Sequence, residues 1–325
     1  MQPISDPTSS AGDSAGHSGG SPTPSLRART FVCMGTVVSL TVPAQPGSPS
    51  DADADRIEAA TAVVEDQFED LDARFSLFKP NSEASRVSRG ELSLMEASPL
   101  MRGLYADAVR WRRRTDGAFT PERPDGLLDL SGLVKGYAIA EAGRSLVALG
   151  LHDWCLNAGG DVLVSGSPAP SAAGGKPWLA GIVDPADRRT LLGAYPLGAQ
   201  AVGAQAHGAP PPASREPARS GARRLALATS GSAERGDHIW TAGLRGPSSR
   251  SPGLQGPAGA RRPQFAQVSV AASDIVTADV LATAVVAGGR GTLDAVTARW
   301  DVDVLAVTHD GALLATPGFR APSAA

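Results

Sequence analysis

Hydrophobic and polar positions repeat with two different periods along the chain, and each change of period marks a predicted element. The stretch "TFVCMGTVVSLTVP", near Arg29, is rich in β-branched residues and ends at a proline, which predicts a strand or one arm of a hairpin. Between Asp55 and Phe75 the apolar residues recur every three or four positions, which predicts one buried face of a helix. That face consists of Ile57, Thr61, Val64, Phe68, Leu71 and Phe75.

Two further helices are indicated by residues that typically start or stop a helix. Ser98 followed by Pro99 is typical of a helix start. The apolar stripe that follows consists of Leu100, Leu104, Ala108 and Trp111. Another helix is expected over residues 133–149, with Gly150 as its stop signal. A helix of small residues is expected in "TADVLATAVVAGG".

The second half of the chain carries several short runs that predict strands. These runs are "DWCLNAGGDVLVSG", "WLAGIVDP", "LALATSGS", "AQVSVAAS" and "DVDVLAVTHDGALLATPG". The last run places a His-Asp-Gly turn between two apolar segments, which predicts a terminal hairpin. We therefore predict an α+β fold, with mainly antiparallel sheets and helices packed against them.

Composition divides the chain into one folded part with flexible additions. Residues 1–27 are rich in Ser, Gly, Pro and Ala, and we expect a disordered tail because they offer little apolar surface to bury. The folded domain is expected over residues 28–325. Residues 191–224 and 244–263 are dominated by Ala, Gly, Pro, Ser and Arg, which favours flexible surface insertions.

Charge and composition exclude several classes of function. The 30 basic and 33 acidic residues give a formal net charge of -3, which argues against nucleic acid as a partner. No run approaches the roughly 20 apolar residues of a membrane span, and the first 27 residues lack the pattern of a secretory signal, so we expect a cytoplasmic protein. Cys33 and Cys155 match no zinc or redox spacing, and we expect both to be structural.

Asp279 and Thr283 form the first candidate site. They are four residues apart on the predicted small-residue helix, so their side-chain oxygens project from the same face. Mg²⁺ prefers oxygen ligands and needs few from the protein, because it keeps several waters or binds substrate phosphates. The alternative is a surface acid beside a packed threonine.

Glycine, lysine and histidine residues supply further candidates. Gly159 and Gly160 allow a backbone to approach a ligand closely, or simply form a tight turn. Lys135 lies near a helix start, where the helix dipole favours a phosphate, although the spacing of a P-loop is missing. His238 follows the "ATSGS" strand beside Arg235, a setting that suits a general base.

Seven segments, taken in order, resemble the FAD:protein FMN transferase family, also called the ApbE family. They are "MGTVVSLTV", "FSLFKPNSEASRVSRG", "DGAFTP", "LDLSGLVKGYAIAEA", "LNAGGDV", "ATSGSAERGDHI" and "TADVLATA". The resemblance runs from about residue 30 to 320. It implies a Mg²⁺-dependent enzyme that cleaves FAD, attaches FMN to a Thr or Ser hydroxyl of an acceptor flavoprotein, and releases AMP.

The same resemblance assigns roles to individual positions. Asp279 and Thr283 would hold the metal with the Gly132 carbonyl, and His238 would deprotonate the acceptor hydroxyl, so that His238 and Asp279 are the expected catalytic residues. The residues expected to contact FAD are Met34, Phe78, Ala118, Phe119, Thr120, Asp129, Lys135, Gly159, Gly160 and Ile239.

The chain departs from the family pattern at three places, and the second and third of them concern the active face. Phe78 stands where the family usually has Tyr, and Thr120 stands where it usually has Asp. The stretch after His238 also departs, since "WTAGLRG" replaces the expected Asp-Pro-x-x-Gly. Three alternatives stay open: an enzyme that hydrolyses FAD to FMN and AMP, a non-catalytic flavin-binding protein, and an α+β protein without a ligand.

Overall fold

The chain is described by a computed structural model over residues 25–44, 50–123, 125–169, 175–198, 223–231 and 263–320. The strands in these ranges are β1 (Leu26–Cys33), β2 (Thr36–Pro43), β3 (Trp154–Ala158), β4 (Asp161–Ser165), β5 (Trp178–Val183), β6 (Leu191–Leu197), β7 (Ala226–Gly231), β8 (Phe265–Ala272), β9 (Asp303–Thr308) and β10 (Leu313–Ala315). The helices are α1 (Ser50–Phe75), α2 (Glu83–Ser88), α3 (Pro99–Arg114), α4 (Ser131–Ala148), α5 (Ile275–Arg299) and α6 (Pro317–Arg320).

Eight strands form one antiparallel sheet in the order β1-β2-β3-β4-β7-β8-β9-β10, and β5 pairs with β6 as a separate two-stranded ribbon. Helices α1, α4 and α5 pack on one face of the large sheet. The ribbon covers part of the other face, where Trp178, Ile182 and Leu197 meet Leu227 and Leu305. The predicted α+β class is confirmed, and so is the terminal hairpin, which is β9 with β10.

Local sequence signals account for the buried face of α1, the start of α3 and the end of α4. All six residues of the predicted α1 stripe are buried. The Ser98 hydroxyl accepts a hydrogen bond from the N–H of Met101 at 3.1 Å and caps α3 as expected. Gly150 takes a φ of 77° immediately after α4, a conformation that glycine adopts without steric cost.

The structure corrects the predicted boundaries of the flexible segments. Residues 191–197 were expected in an insertion but form β6, whose Tyr195 and Leu197 are buried against the sheet. Its other positions, including Gly193 and Pro196, are mostly exposed, and this outer face gives the strand the composition of a linker. Strand β1 begins at Leu26, inside the expected tail. Residues 1–24, 199–222 and 232–262 lie outside the described ranges.

A polar network joins the β5–β6 ribbon to β9 of the large sheet. Asp303 is 8% exposed, and its Oδ2 accepts hydrogen bonds from the Tyr195 hydroxyl at 2.8 Å and from Arg224 Nε at 3.1 Å. Arg224 also pairs with Asp301 at 2.6 Å. Burial, with Asp303 as a second cause, raises the pKa of Tyr195. The network therefore joins β6 to β9 at a place where the charged groups of Arg224 and Asp303 are both largely buried.

We expect Asp303→Asn to lower the free energy of unfolding by about 2 kcal/mol, because it leaves the Arg224 guanidinium without its buried counter-ion. Asp294→Asn is the control, since the Asp294–Arg290 pair is exposed and should change stability by less than about 0.5 kcal/mol. Urea unfolding of the two variants measures both values. Equal stability of the two variants would contradict the structural role given to Asp303.

Both thiols should resist alkylation in the folded protein. Burial raises the pKa of Cys155 to about 12, and burial together with Asp72 raises the pKa of Cys33. At pH 8 the Cys155 thiolate fraction is then roughly a thousandfold below that of a free thiol. Mass spectrometry after iodoacetamide treatment should find neither cysteine modified before unfolding and both modified in guanidinium chloride. Rapid alkylation of the native protein would contradict this.

Candidate functional site

Helices α4 and α5 approach closely because α4 presents glycines at the contact. A Cβ atom added to Gly136 would lie 3.2 Å from Asp279 Oδ2 and 3.3 Å from the Cα of Val276. A Cβ atom added to Gly132, one turn earlier, would lie 3.7 Å from the Thr283 methyl group. A larger residue at position 136 would separate the helices or displace the Asp279 side chain of α5, whereas at position 132 it would press on the Phe119 ring. Gly136 therefore sets the distance between the helices at this point.

The predicted metal ligands meet at this crossing. Asp279 is 2% exposed, and its Oδ2 accepts a hydrogen bond from the Gly136 N–H at 3.1 Å. In a regular α-helix the N–H of Gly136 points toward the carbonyl of Gly132, one turn earlier. Thr283 lies one turn beyond Asp279, and its hydroxyl is 3.1 Å from that of Ser230 at the end of β7.

This group of donors suits a hard cation. The carboxylate, the hydroxyl and the carbonyl all offer oxygen, which Mg²⁺ prefers over nitrogen or sulfur ligands. Within the described ranges no group of three or more His, Cys, Asp or Glu side chains is placed to hold a metal. A zinc or iron centre built from such side chains is therefore not formed by these residues.

Lys135 lies beside the crossing in a buried ion pair. Its Nζ is 2.5 Å from Oδ2 of Asp161, with side-chain exposures of 14% for the lysine and 0% for the aspartate. The other oxygen, Asp161 Oδ1, accepts a hydrogen bond from the N–H of Thr229 at 2.9 Å. The ammonium group is thus held between α4, β4 and β7, at the same end of the sheet as Thr283.

The two predicted glycines form the turn between β3 and β4. Gly159 and Gly160 have φ values of 62° and 93°, which match the mirror-image turn that joins twisted antiparallel strands. The Gly160 N–H donates to Asn157 Oδ1 at 2.9 Å. A side chain at Gly159 would collide with the Thr36 hydroxyl, so the β1–β2 hairpin packs directly against this turn. Met34 lies in the turn of that hairpin and is thereby brought near the double glycine. Its backbone has a φ of 51°, which is uncommon for a residue other than glycine.

The segment between α3 and α4 adjoins the same crossing. Phe119 is 3% exposed, and its ring lies 3.2 Å from the Cβ position of Gly132. Asp129 Oδ1 accepts a hydrogen bond from the N–H of Ser131 at 2.9 Å, at the first residue of α4. The Thr120 hydroxyl accepts one from the N–H of Glu122 at 3.2 Å. Ala118 packs against the hydrophobic core.

Three expected cofactor or catalytic residues are not brought into this group by the described structure. Phe78 lies in the turn after α1 with 97% of its surface exposed, so its ring packs against none of the described site residues. His238 and Ile239 lie outside the described ranges. They follow Gly231, the last residue of β7, by seven and eight positions. Their roles stay predictions.

Sequence reasoning did not select four residues that the structure places in the site. Asp161 and Ser230 lie in the motifs "LNAGGDV" and "ATSGS", but the first was used only for its glycines and the second only for the histidine after it. Thr229 and Gly136 act through their main-chain N–H groups, which leave no signature in the sequence. Of these four residues, only Asp161 carried a signal in the sequence, as an acidic residue directly after a predicted glycine turn and at the start of a predicted strand.

Comparison with known proteins is consistent with this arrangement. The sequence profile of the ApbE family matches residues 34–123 and 120–306, which together include every site residue described above. The chain belongs to the ApbE family. No curated protein sequence matches it.

Solved structures of this family share the fold. The flavin transferase ApbE from Vibrio cholerae matches with a TM-score of 0.58 and 19% identity, over 91% of this chain and 99% of that one. The ApbE protein from Thermotoga maritima matches with a TM-score of 0.63 and 19% identity, over 91% and 98%. The flavinyl transferase ApbE from Pseudomonas stutzeri matches with a TM-score of 0.57 and 16% identity, over 92% and 97%. In the described part of this ApbE-family chain, no helix combines the length and apolar character needed to cross a membrane.

We expect Gly136→Ala to destabilise the protein by about 1–3 kcal/mol, because the new methyl group meets both the Asp279 carboxylate and the backbone of α5. Gly103→Ala is the matched control. Gly103 lies within α3, and a Cβ atom there meets nothing within 4 Å, so the change should be neutral or stabilising. Thermal unfolding compares the two. An unchanged Gly136→Ala variant would contradict the close approach of α4 and α5.

Proposed function

We propose that this ApbE-family protein is a Mg²⁺-dependent FAD:protein FMN transferase. It takes FMN from FAD and attaches it to a Thr or Ser hydroxyl of an acceptor flavoprotein, with release of AMP. Membership of the family supports flavin transfer in general. The observation that carries the finer proposal is the buried carboxylate of Asp279, set at the α4–α5 crossing beside Thr283 and the turn that begins at Gly132.

Asp279, Thr283 and the Gly132 carbonyl would hold the Mg²⁺ ion. The Asp279 carboxylate is 2% exposed and offers oxygen, and Mg²⁺ bound to it would retain sites for substrate oxygens. When bound, Mg²⁺ would neutralise charge on the pyrophosphate of FAD. The hydrogen bond from Gly136 to Asp279 Oδ2 would hold the carboxylate in one orientation.

The remaining groups would position the pyrophosphate. Lys135, on the second turn of α4, supplies a fixed positive charge, and the start of α4 adds the positive end of its helix dipole. The glycine turn at Gly159 and Gly160 presents backbone without side chains, so a ligand can approach it closely. Phosphoryl transfer depends mainly on positioning and charge stabilisation, which these groups provide.

In the proposed reaction the acceptor hydroxyl oxygen bonds to the phosphorus of the FMN half of FAD. The bond from that phosphorus to the bridging oxygen breaks, and the oxygen leaves as part of AMP. His238 would accept the proton of the hydroxyl, a role it retains as a prediction from the sequence. The acceptor must therefore present its Thr or Ser on an exposed loop that can enter the site.

The test is to incubate the purified protein with FAD and Mg²⁺, with and without an acceptor domain, and to detect covalent FMN by mass spectrometry. We expect one FMN on the acceptor, and a decrease of roughly a hundredfold or more in its rate of formation for Asp279→Ala. Asp294→Asn, an exposed carboxylate on the same helix, should keep the wild-type rate.

The products distinguish the alternatives. AMP and free FMN without an adduct on the acceptor would indicate an FAD hydrolase instead of a transferase. FAD that binds and remains intact would indicate a non-catalytic flavin-binding protein. Full activity of Asp279→Ala would contradict the metal site even if FMN transfer occurred.

A further inference from the structure

Asp161 connects three elements of the site through one buried carboxylate. It is the first residue of β4, directly after Gly160, and its side chain is fully buried. One oxygen pairs with Lys135 of α4 at 2.5 Å, and the other accepts the N–H of Thr229 in β7 at 2.9 Å. A buried carboxylate needs compensation for its charge, and here one oxygen lies at ion-pair distance from the ammonium group while the other accepts a hydrogen bond.

The contact with Thr229 continues the pairing of two strands where their ladder is short. Strands β4 and β7 pair through Val162 with Leu227 and Leu163 with Ala226. Beyond these pairs the main chain of β4 turns away at the double glycine, and the Asp161 side chain accepts the next β7 N–H in its place. On its β4 side the end of β7 is therefore held by a side chain, while on its other side it pairs with the backbone of β8.

This connection extends to a predicted metal ligand. Ser230 follows Thr229, and its hydroxyl is 3.1 Å from that of Thr283. Ser230 is 9% exposed and belongs to the end of β7, where it pairs with Val268 of β8. Displacement of Thr229 would move Ser230, and Thr283 would lose a hydrogen-bond partner.

We infer that Asp161 is a positioning residue that holds the Lys135 ammonium group and the end of β7 in the places the site requires. The inference rests on the proposed function for what Lys135 contacts, namely the pyrophosphate of FAD. The lysine side chain is long and flexible. A fixed counter-ion holds it in one conformation before substrate binds, so less conformational entropy is lost on binding. Asp161 itself need not touch the substrate.

Asp303 provides a matched control within the same sheet. It is also a buried aspartate that pairs with a cation, Arg224, and accepts a second hydrogen bond. It lies opposite Ala271 near the end of β8, whereas the site lies near the start of β8, where Val268 pairs with Ser230. Asp161→Asn and Asp303→Asn thus remove the same charge from similar surroundings, but only the first change is next to Lys135.

The first experiment measures Lys135 itself and requires no catalysis. The chain has three lysines, at positions 79, 135 and 176, so acetylation by an N-hydroxysuccinimide ester can be followed residue by residue in peptide maps. In the wild-type protein at pH 8.5, Lys135 should react far more slowly than the exposed Lys176. Asp161→Asn should accelerate Lys135 acetylation about tenfold or more, because the ammonium form loses its counter-ion. Lys79 and Lys176 should react at unchanged rates.

Asp303→Asn should leave the Lys135 rate unchanged, which separates a local effect from general loosening of the fold. Equal acceleration in both variants would overturn the inference, and so would an unchanged Lys135 rate in Asp161→Asn. If Asp161→Asn does not fold, comparison of wild-type Lys135 with Lys176 still decides whether the ammonium group is held. Equal reactivity of these two lysines would contradict the ion pair.

The second experiment measures FMN transfer. We expect Asp161→Asn to lower kcat roughly ten- to a hundredfold, with a smaller change in KM for FAD, because it misplaces groups that act on the pyrophosphate. In a Lys135→Gln background the added Asp161→Asn change should cost much less, since the two residues act together. The double variant removes both buried charges and is expected to fold more readily than either single variant.

If the double variant loses as much kcat as the two single losses multiplied together, Asp161 and Lys135 act independently. That result would overturn the coupling of Asp161 to Lys135. Absence of FMN transfer by the wild-type protein would refute the proposed function instead, while the acetylation rates would still report on the role of Asp161. The two failures are therefore distinguishable.

Discussion

The hydrogen bond between the Gly136 N–H and the Asp279 carboxylate is the contact on which the site depends. It exists only because α4 carries no side chain at the point where α5 crosses it. The same approach brings Gly132 next to Thr283, so one packing constraint places a carboxylate, a hydroxyl and a backbone carbonyl together. The sheet beneath supports this arrangement, since β7 and β8 pack against α5. Close helix packing therefore gathers the residues that are predicted to hold the metal.

Charge balance explains why the site suits an anionic ligand together with a cation. Asp161 and Asp279 are both buried at this end of the sheet, and the Lys135 ammonium group lies 2.5 Å from the Asp161 carboxylate. A divalent ion at Asp279 would leave the site positive enough to attract a pyrophosphate without any excess of positive charge over the whole chain. This agrees with a net charge of -3 for the protein. Such an attraction would be local, as the composition indicated.

Features that depend on nearby residues were predictable from the sequence, and features that depend on distant ones were not. The α1 stripe, the Ser98 cap and the stop at Gly150 follow from rules that span a few residues. Strand β6 was missed because its exposed face has the composition of a loop. The bonds that join Gly136 to Asp279 and Asp161 to Thr229 connect residues 143 and 68 positions apart, and no periodicity reports such contacts. Motif order, through the family resemblance, predicted a ligand set that stays a prediction, and it did not indicate Asp161.

The most direct test of the metal site is anomalous diffraction from crystals grown with FAD and Mn²⁺, which accepts the same oxygen ligands as Mg²⁺. The account predicts a single strong peak at the α4–α5 crossing, within about 2–2.5 Å of the Asp279 carboxylate, the Thr283 hydroxyl and the Gly132 carbonyl. It also predicts pyrophosphate oxygens in the remaining positions around the ion. A peak bound by other residues, or Mn²⁺ held by FAD without contact to Asp279, would contradict the account.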